Sequence, residues 1–464
     1  MAQNAPLQPM APTMASNSSE RPPDDPTAAR PRLLVYTRVY PNASQPNYGL
    51  FVRERMRRVA RELDLVVVAP VPWFPFQGLI RRFKPHFRPE VPDYEEQDGI
   101  RVYHPRFFCF PGFLKWTDPL FQALGSLATL RRLKREHGFD VIDAHFVYPD
   151  GVAARLLGRW LETPYTITLR GSLLRFGKSR LQQAQIEQAL TRAAKVFSVA
   201  DSLRRDALSW GQHPDHVQVV GNGVDLERFG PEDRTLCRDK LGLPNDARVL
   251  VSVGGLTERK GFHRVIDVLP GLHRHFPDLH LVIAGGASPE GNNEAELRQQ
   301  IERLGLQQHV HLIGPMAPEA LRHVYSAGDV FVLATRFEGW ANVFLEASAC
   351  GLPIVTTRVG GNAEVVPSED IGLLVPFDDA PALEEALHRA LEKRWNRQAI
   401  LDHARANAWQ TRIPLLVDAF CEIHAMHHAM PVEAQTDKDE AGENDETSEN
   451  DQPPRSGKSG PDPT

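Results

Sequence analysis

Two carboxylates separated by seven residues, Glu338 and Glu346, frame the stretch Phe337-Glu338-Gly339-Trp340-Ala341-Asn342-Val343-Phe344-Leu345-Glu346-Ala347. Flanking glutamates repel a phosphate, but they accept hydrogen bonds from hydroxyl groups. Between them, the amides of Gly339, Trp340, Ala341 and Asn342 are placed to be the unpaired donors of a helix start, which suits an anion. Hydroxyls on both sides of a diphosphate describe a nucleotide-sugar. A cation for that diphosphate is available at Lys260, in Val253-Gly254-Gly255-Leu256-Thr257-Glu258-Arg259-Lys260-Gly261. Fixed positive charge beside a departing phosphate is worth about 3 kcal/mol of barrier. The spacing of the two glutamates by itself is also met by solvated helix-end residues. Its setting is what gives it weight.

That setting is a run of alternating elements. Asp329 to Ala334 reads as a buried strand, Val343 to Cys350 as a helix stopped by Gly351, and Leu352 to Thr357 as the next strand. Glu338 then lies on the loop leaving a strand and Glu346 about one turn into the helix, a junction where ligands sit in doubly wound sheets. Lys260 follows the strand Val249 to Val253, His145 ends the strand Val141 to Ala144, and Arg170 follows Tyr165 to Leu169. Gly49 lies between the strand Leu33 to Arg38 and the helical run Val52 to Leu63. Repeated βαβ units predict an α/β fold with two parallel sheets, each covered on both faces, and a break near Phe229-Gly230-Pro231.

With Asn222-Gly223-Val224-Asp225 added, the segments Val253 to Gly261 and Glu338 to Thr357 resemble the GT4 family of retaining glycosyltransferases, from about Leu33 to about His427. The resemblance implies the GT-B fold: two Rossmann-like doubly wound domains facing across a cleft, at 31–228 and 229–404. A C-terminal helix at about 405–428 would cross back to complete the first domain. It implies donor contacts at Gly254, Gly255, Arg259, Lys260, Ile313, Glu338, Gly339, Trp340, Ala341, Asn342, Val343 and Glu346. Glu338 would face the donor sugar, Glu346 the ribose, and the main chain near His311-Leu312-Ile313-Gly314-Pro315 the base. Lys260, Glu338 and His145 are the catalytic candidates, His145 through contact with the transferred sugar. Gly49, in a P-x-x-G-x-F-V match, and Arg170, in R-G-S, are candidates for an acceptor or phosphate loop. Two departures stand out: Gly255 where family members often carry arginine, and Leu173 where R-G-S-D has its aspartate.

No metal or other cofactor is expected, since the one Asp-x-Asp triplet, Asp437 to Asp439, lies in an acidic polar tail. That tail, 430–464, and the Pro/Ala/Ser-rich residues 1–30 both read as disordered, and the latter lack the apolar core of a signal peptide. A net charge of −6, owed in part to the tail, gives no case for nucleic acid. Four scattered cysteines fit a reduced, cytoplasmic protein. The segment Trp73 to Trp116 breaks the alternation. Its aromatics and Arg81-Arg82-Phe83-Lys84 read either as an irregular loop packed on itself or as peripheral contact with the inner face of the cytoplasmic membrane. The expected partners are a nucleotide diphosphate sugar and a saccharide or lipid-linked acceptor. An epimerase of nucleotide-sugars and a non-catalytic nucleotide-sugar-binding scaffold are the alternatives.

Overall fold

The computed structural model describes residues 30–75, 77–83, 89–176, 179–288 and 290–429. The expectations of disorder for 1–29 and 430–464, and the basic residues Lys84 and Arg88, lie outside the described residues. From Pro31 onward the strands are β1 (Leu33–Tyr36), β2 (Leu65–Val68), β3 (Val71–Trp73), β4 (Tyr94–Gln97), β5 (Ile100–Tyr103), β6 (Arg106–Phe108), β7 (Val141–His145) and β8 (Tyr165–Leu169). They continue as β9 (Lys195–Ser198), β10 (Val217–Val219), β11 (Arg248–Val253), β12 (Leu279–Ala284), β13 (Val310–Gly314), β14 (Val330–Leu333), β15 (Ile354–Thr357) and β16 (Gly372–Val375).

The first sheet runs β10-β9-β8-β7-β1-β2-β5-β4 and is parallel apart from the β4–β5 pair. Both faces of its middle are buried, so the central strands β1 (LLVY) and β2 (LVVV) are apolar throughout. Leu34 and Tyr36 of β1 enter one core, with Leu130, Leu157 and Leu190. Leu33 and Val35 enter the opposite core, with Met56 and Phe197, as the two-residue period of a strand requires. The last helix, Trp409–Ala429, covers that second face with Trp409, Ile413, Leu416, Phe420 and Ile423. The C-terminal helix therefore does cross back onto the first domain.

The second sheet, β13-β12-β11-β14-β15-β16, is wholly parallel. In it the chain starts at β11, winds outward to β13, and returns to place β14 on the other side of β11. The loops leaving β11 and β14 therefore diverge, and they open the crevice in which such sheets bind ligands. Lys260 is on one of these loops and Glu338 on the other.

The described residues of the segment 73–116 form more regular structure than the irregular loop expected from the sequence. β4 and β5 form a hairpin around Asp98 and Gly99, both left-handed, at φ 52° and 79°. That is the Asp-Gly turn whose twist matches the strands, a signal present in the sequence. β3 and β6 pair in a small sheet of their own. Phe108, Phe110, Phe113 and Phe121 pack edge to face or tilted beside it, while Leu79, Phe83, Phe113 and Trp116 are exposed. No helix among the described residues is long and apolar enough to cross a membrane.

Candidate active site

The loop after β11 ends in a single tight turn, Glu258–Lys260, closed by Gly261 at φ 76°. A side chain at Gly261 would overlap the carbonyl oxygen of Ala334, because the turn rests on the end of β14. The carbonyl of Arg259 accepts from Arg336 N at 2.8 Å and from Thr335 Oγ1 at 3.0 Å, lacing the two loops together. Glu338 is thereby presented to both cations. Its Oε1 accepts from Lys260 Nζ at 2.7 Å and Arg259 Nη1 at 3.0 Å, and lies 3.2 Å from Thr335 Oγ1, whose one proton is shared with Arg259 O. Arg259 also grips Glu290 through Nε and Nη2, at 2.7 and 3.1 Å.

Gly255, the first departure, has a steric reason to remain glycine: a Cβ there would sit 2.9 Å from Ser288 Cβ. No arginine stands at that position, and Arg259 supplies a second cation from the turn itself. At the second departure Leu173 is fully buried in the first domain's core, and Ser172 Oγ donates to Asp206 at 2.7 Å.

Beyond Glu338 the loop is held on two sides. Gly339 faces the carbonyl of Arg170, and Gly361 N donates to Glu338 O at 3.0 Å. Trp340 packs against Gly221 and touches the cores of both domains. Helix Asn342–Ala349 starts after Ala341, which has extended backbone, and no side chain caps it. Among the described residues no protein acceptor takes the N–H of Gly339, Trp340, Ala341 or Asn342. One turn on, Glu346 Oε2 accepts from Tyr325 at 2.8 Å. Burial pushes the Glu346 carboxyl above its usual range, while Tyr325, Arg228 and Lys260 pull the other way. Val343 and Ile313 are half-buried, Ile313 near the end of the edge strand β13.

The first domain contributes a polar chain. Arg170 Nε donates to His145 Nδ1 at 3.0 Å and Nη1 donates to Asn222 Oδ1 at 3.2 Å. Asn222 Nδ2 in turn donates to Asn342 Oδ1 at 3.1 Å, crossing to the helix that carries Glu346. Arg55, fully buried, reaches the same Asn222 oxygen at 3.2 Å. Phe51 lies under the Arg170 guanidinium, 5.2 Å from ring centre to Cζ. Gly49 caps the helix Leu50–Val59 at φ 79°, where a side chain would overlap Val39 O.

His145 ends β7 as the sequence suggests, but it is fully buried and does not stand at a rim. An arginine can only donate, so Nδ1 is the unprotonated nitrogen and Nε2 carries the proton of the neutral ring. Nε2 lies 3.1 Å from Asp143 Oδ2 yet is too poorly aligned for a hydrogen bond. Burial lowers the imidazole pKa to about 4; Asp143 opposes this, and Arg170 and Arg55 reinforce it. Since the unfolded chain takes up this proton near pH 6.5, stability from the neutral buried ring is complete above that value. It is lost as pH falls toward 4, by at most about 3 kcal/mol. Urea unfolding of His145→Gln is expected to show a shallower decline across that window than the wild type. Parallel curves would place the proton uptake elsewhere.

Residues 233–407 match the family described as glycosyl transferases group 1, and residues 77–228 match glycosyltransferase family 4. The putative teichuronic acid biosynthesis glycosyltransferase TuaC of Bacillus subtilis (strain 168) is 28% identical, over 86% of this chain and 97% of its own. D-inositol 3-phosphate glycosyltransferase of Corynebacterium jeikeium (strain K411) is 31% identical, over 71% of this chain and 84% of its own. The chain belongs to the group 1, GT4-type glycosyltransferases. Its fold is GT-B: Anabaena HepE in complex with UDP superposes with a TM-score of 0.64 over 85% of this chain and all of its own, at 20% identity.

In this glycosyltransferase Lys260, Arg259, Glu338 and Gly339 come together at one loop junction, and His145 and Arg170 meet across the domain boundary from it. Sequence reasoning missed Asn222 as a bridge, Tyr325 as the partner of Glu346, and Glu364. The Glu364 carboxylate accepts from the N–H groups of Asp201 and Ser202 at the start of a first-domain helix, the latter at 2.8 Å. The Val359-Gly360-Gly361-Asn362 loop was also missed, although two glycines after a strand are a visible turn signal.

Proposed function

We propose that this glycosyltransferase moves a hexose-type sugar from a nucleoside diphosphate sugar to a saccharide or lipid-linked acceptor, with retention at the anomeric carbon and no metal requirement. The observation that carries this reading is the convergence of Lys260 and Arg259 on Glu338 at the crevice between β11 and β14. The two cations, with the unspent amides of Gly339 to Asn342, supply a diphosphate with the positive surroundings that a metal supplies elsewhere. When donor enters, Lys260 and Arg259 turn part of their charge to the phosphates, and Glu338 accepts from the sugar hydroxyls. Glu346 is left to the ribose, and main chain near Ile313 to the base.

Transfer then follows front-face attack. The bond from the anomeric carbon to the phosphate oxygen breaks with its electron pair leaving on the diphosphate. The acceptor oxygen bonds on the same face, and its proton passes to the departing phosphate. The protein contributes position and leaving-group electrostatics. His145, neutral and fully buried, carries no charge at neutral pH and acts by holding Arg170 through Nδ1. The exposed apolar side chains Leu79, Phe83, Phe113 and Trp116 on the first domain support a lipid-linked acceptor.

The test is a thermal-unfolding panel of UDP, GDP, ADP and their sugar conjugates in EDTA, on the wild type and on Glu346→Ala. A nucleotide at 100 times its Kd stabilises by about 2.7 kcal/mol. One nucleotide is expected to raise the wild-type Tm and leave the variant unmoved; a response that appears only with a divalent ion sinks the metal-free site. With that donor labelled, sugar recovered in an acceptor distinguishes transfer from epimerisation, and its partition into organic solvent or water shows which class of acceptor took it.

A further inference from the structure

Asp140 and His145 stand at opposite ends of β7. Five residues of strand separate them by roughly 16 Å, so whatever gathers at Asp140 is outside the transfer site. There the last helix arrives with His424 and His428, four residues apart and therefore on one face. Their rings are 4.4 Å apart between centres. One ligand-capable atom from each of Asp140, His424 and His428 lies within 4.8 Å of the others. Asp140 is fixed by its own neighbourhood: Oδ2 accepts from Arg32 N at 2.8 Å and lies 3.6 Å from Arg32 Nε. Both contacts fall on one oxygen, leaving the other. Nδ1 of His424 is enclosed and has no hydrogen-bond partner.

We propose that Asp140, His424 and His428 bind a divalent cation of the Zn2+ class and that this ion ties the end of the last helix to the first domain. Two imidazoles and a carboxylate are the donor set of borderline ions such as Zn2+, Ni2+ and Co2+; a hard ion such as Mg2+ prefers oxygen alone. Bonds of about 2.0–2.2 Å set tetrahedral ligands roughly 3.4 Å apart, which these side chains reach by small rotations, with a water completing the fourth position. The ion's role is structural. It adds a cross-link between residues nearly 290 positions apart in the chain, at a helix end where His428 is exposed.

The full-length protein, stripped with EDTA and desalted, is melted with ZnCl2 or MgCl2. Zn2+ is expected to raise the Tm and Mg2+ to leave it unchanged. His424→Gln and His428→Gln should each weaken the apparent Zn2+ affinity at least ~10-fold, while His427→Gln retains it. Co2+ should give the visible bands of a tetrahedral site without thiolate charge transfer. A second group, Glu232, Cys237 and His323, also brings three ligand-capable atoms within 4.8 Å of one another, so Cys237→Ser is the decisive control. A Tm response that survives in both histidine variants, or vanishes in Cys237→Ser, overturns the assignment, as does the absence of any Zn2+ response. The nucleotide response of the catalytic site is measured separately and is expected to be the same in all of these variants.

Discussion

Replacing Lys260 with alanine is expected to lower turnover roughly 100- to 1000-fold while the protein stays folded. The size follows from the loss of one fixed donor aimed at charge that develops in the transition state. Lys260 reaches that position from a turn anchored on β14, and the removal of its side chain leaves Glu338 with Arg259 and Thr335 as partners. The carboxylate therefore does not become an unpaired buried charge, and the Tm should change little. The loss should appear in kcat more than in KM, since the charge on the diphosphate grows as the glycosidic bond breaks. Initial rates over a donor series settle it: a variant within a few-fold of wild-type kcat would remove Lys260 from the chemistry.

Gly261→Ala is expected to be strongly destabilising. At φ 76° an added methyl costs about 1–2 kcal/mol in backbone strain. The same methyl overlaps the carbonyl oxygen of Ala334, and overpacking of this kind costs about 1–3 kcal/mol more. The backbone relieves the overlap by lifting the turn off β14, which breaks the bonds from Arg336 N and Thr335 Oγ1 to Arg259 O and carries Lys260 away from Glu338. Urea unfolding should show a loss of about 2–5 kcal/mol, and donor turnover should fall with it. An unfolding free energy within about 0.5 kcal/mol of wild type would mean that the turn is not clamped as described.

What could be read from the residues alone was whatever is local. The strand-to-helix junction around Glu338, the turn bearing Lys260 and the two parallel sheets each follow from periodicity, glycine placement and apolar runs within some twenty residues. The Asp98-Gly99 hairpin was equally local and simply went unread. Pairings between distant residues are different in kind. Nothing near Tyr325 marks it as the partner of Glu346, and nothing near Asn222 marks it as the bridge from Arg170 to Asn342. The Asn222 bridge exists because two sheets, formed independently, present their carboxyl-end loops to each other, and the Tyr325 contact because the helices Pro318–Ala327 and Asn342–Ala349 of the second domain pack side by side. The burial of His145 belongs to the same class: its strand was legible, but Arg170 and Arg55, which enclose it, come from other elements.

The helix Trp409–Ala429 has a consequence in time. The apolar face formed by Val35, Met56, Phe197 and Val220 is complete once β10 has been synthesised, but its cover, Phe420 and its neighbours, comes about 200 residues later. At roughly 5–20 residues per second, that face waits on the order of 10–40 s on the ribosome. The second domain is made entirely within that interval, and its own core draws nothing from the last helix. The later half of the protein can therefore be finished before the earlier half is closed.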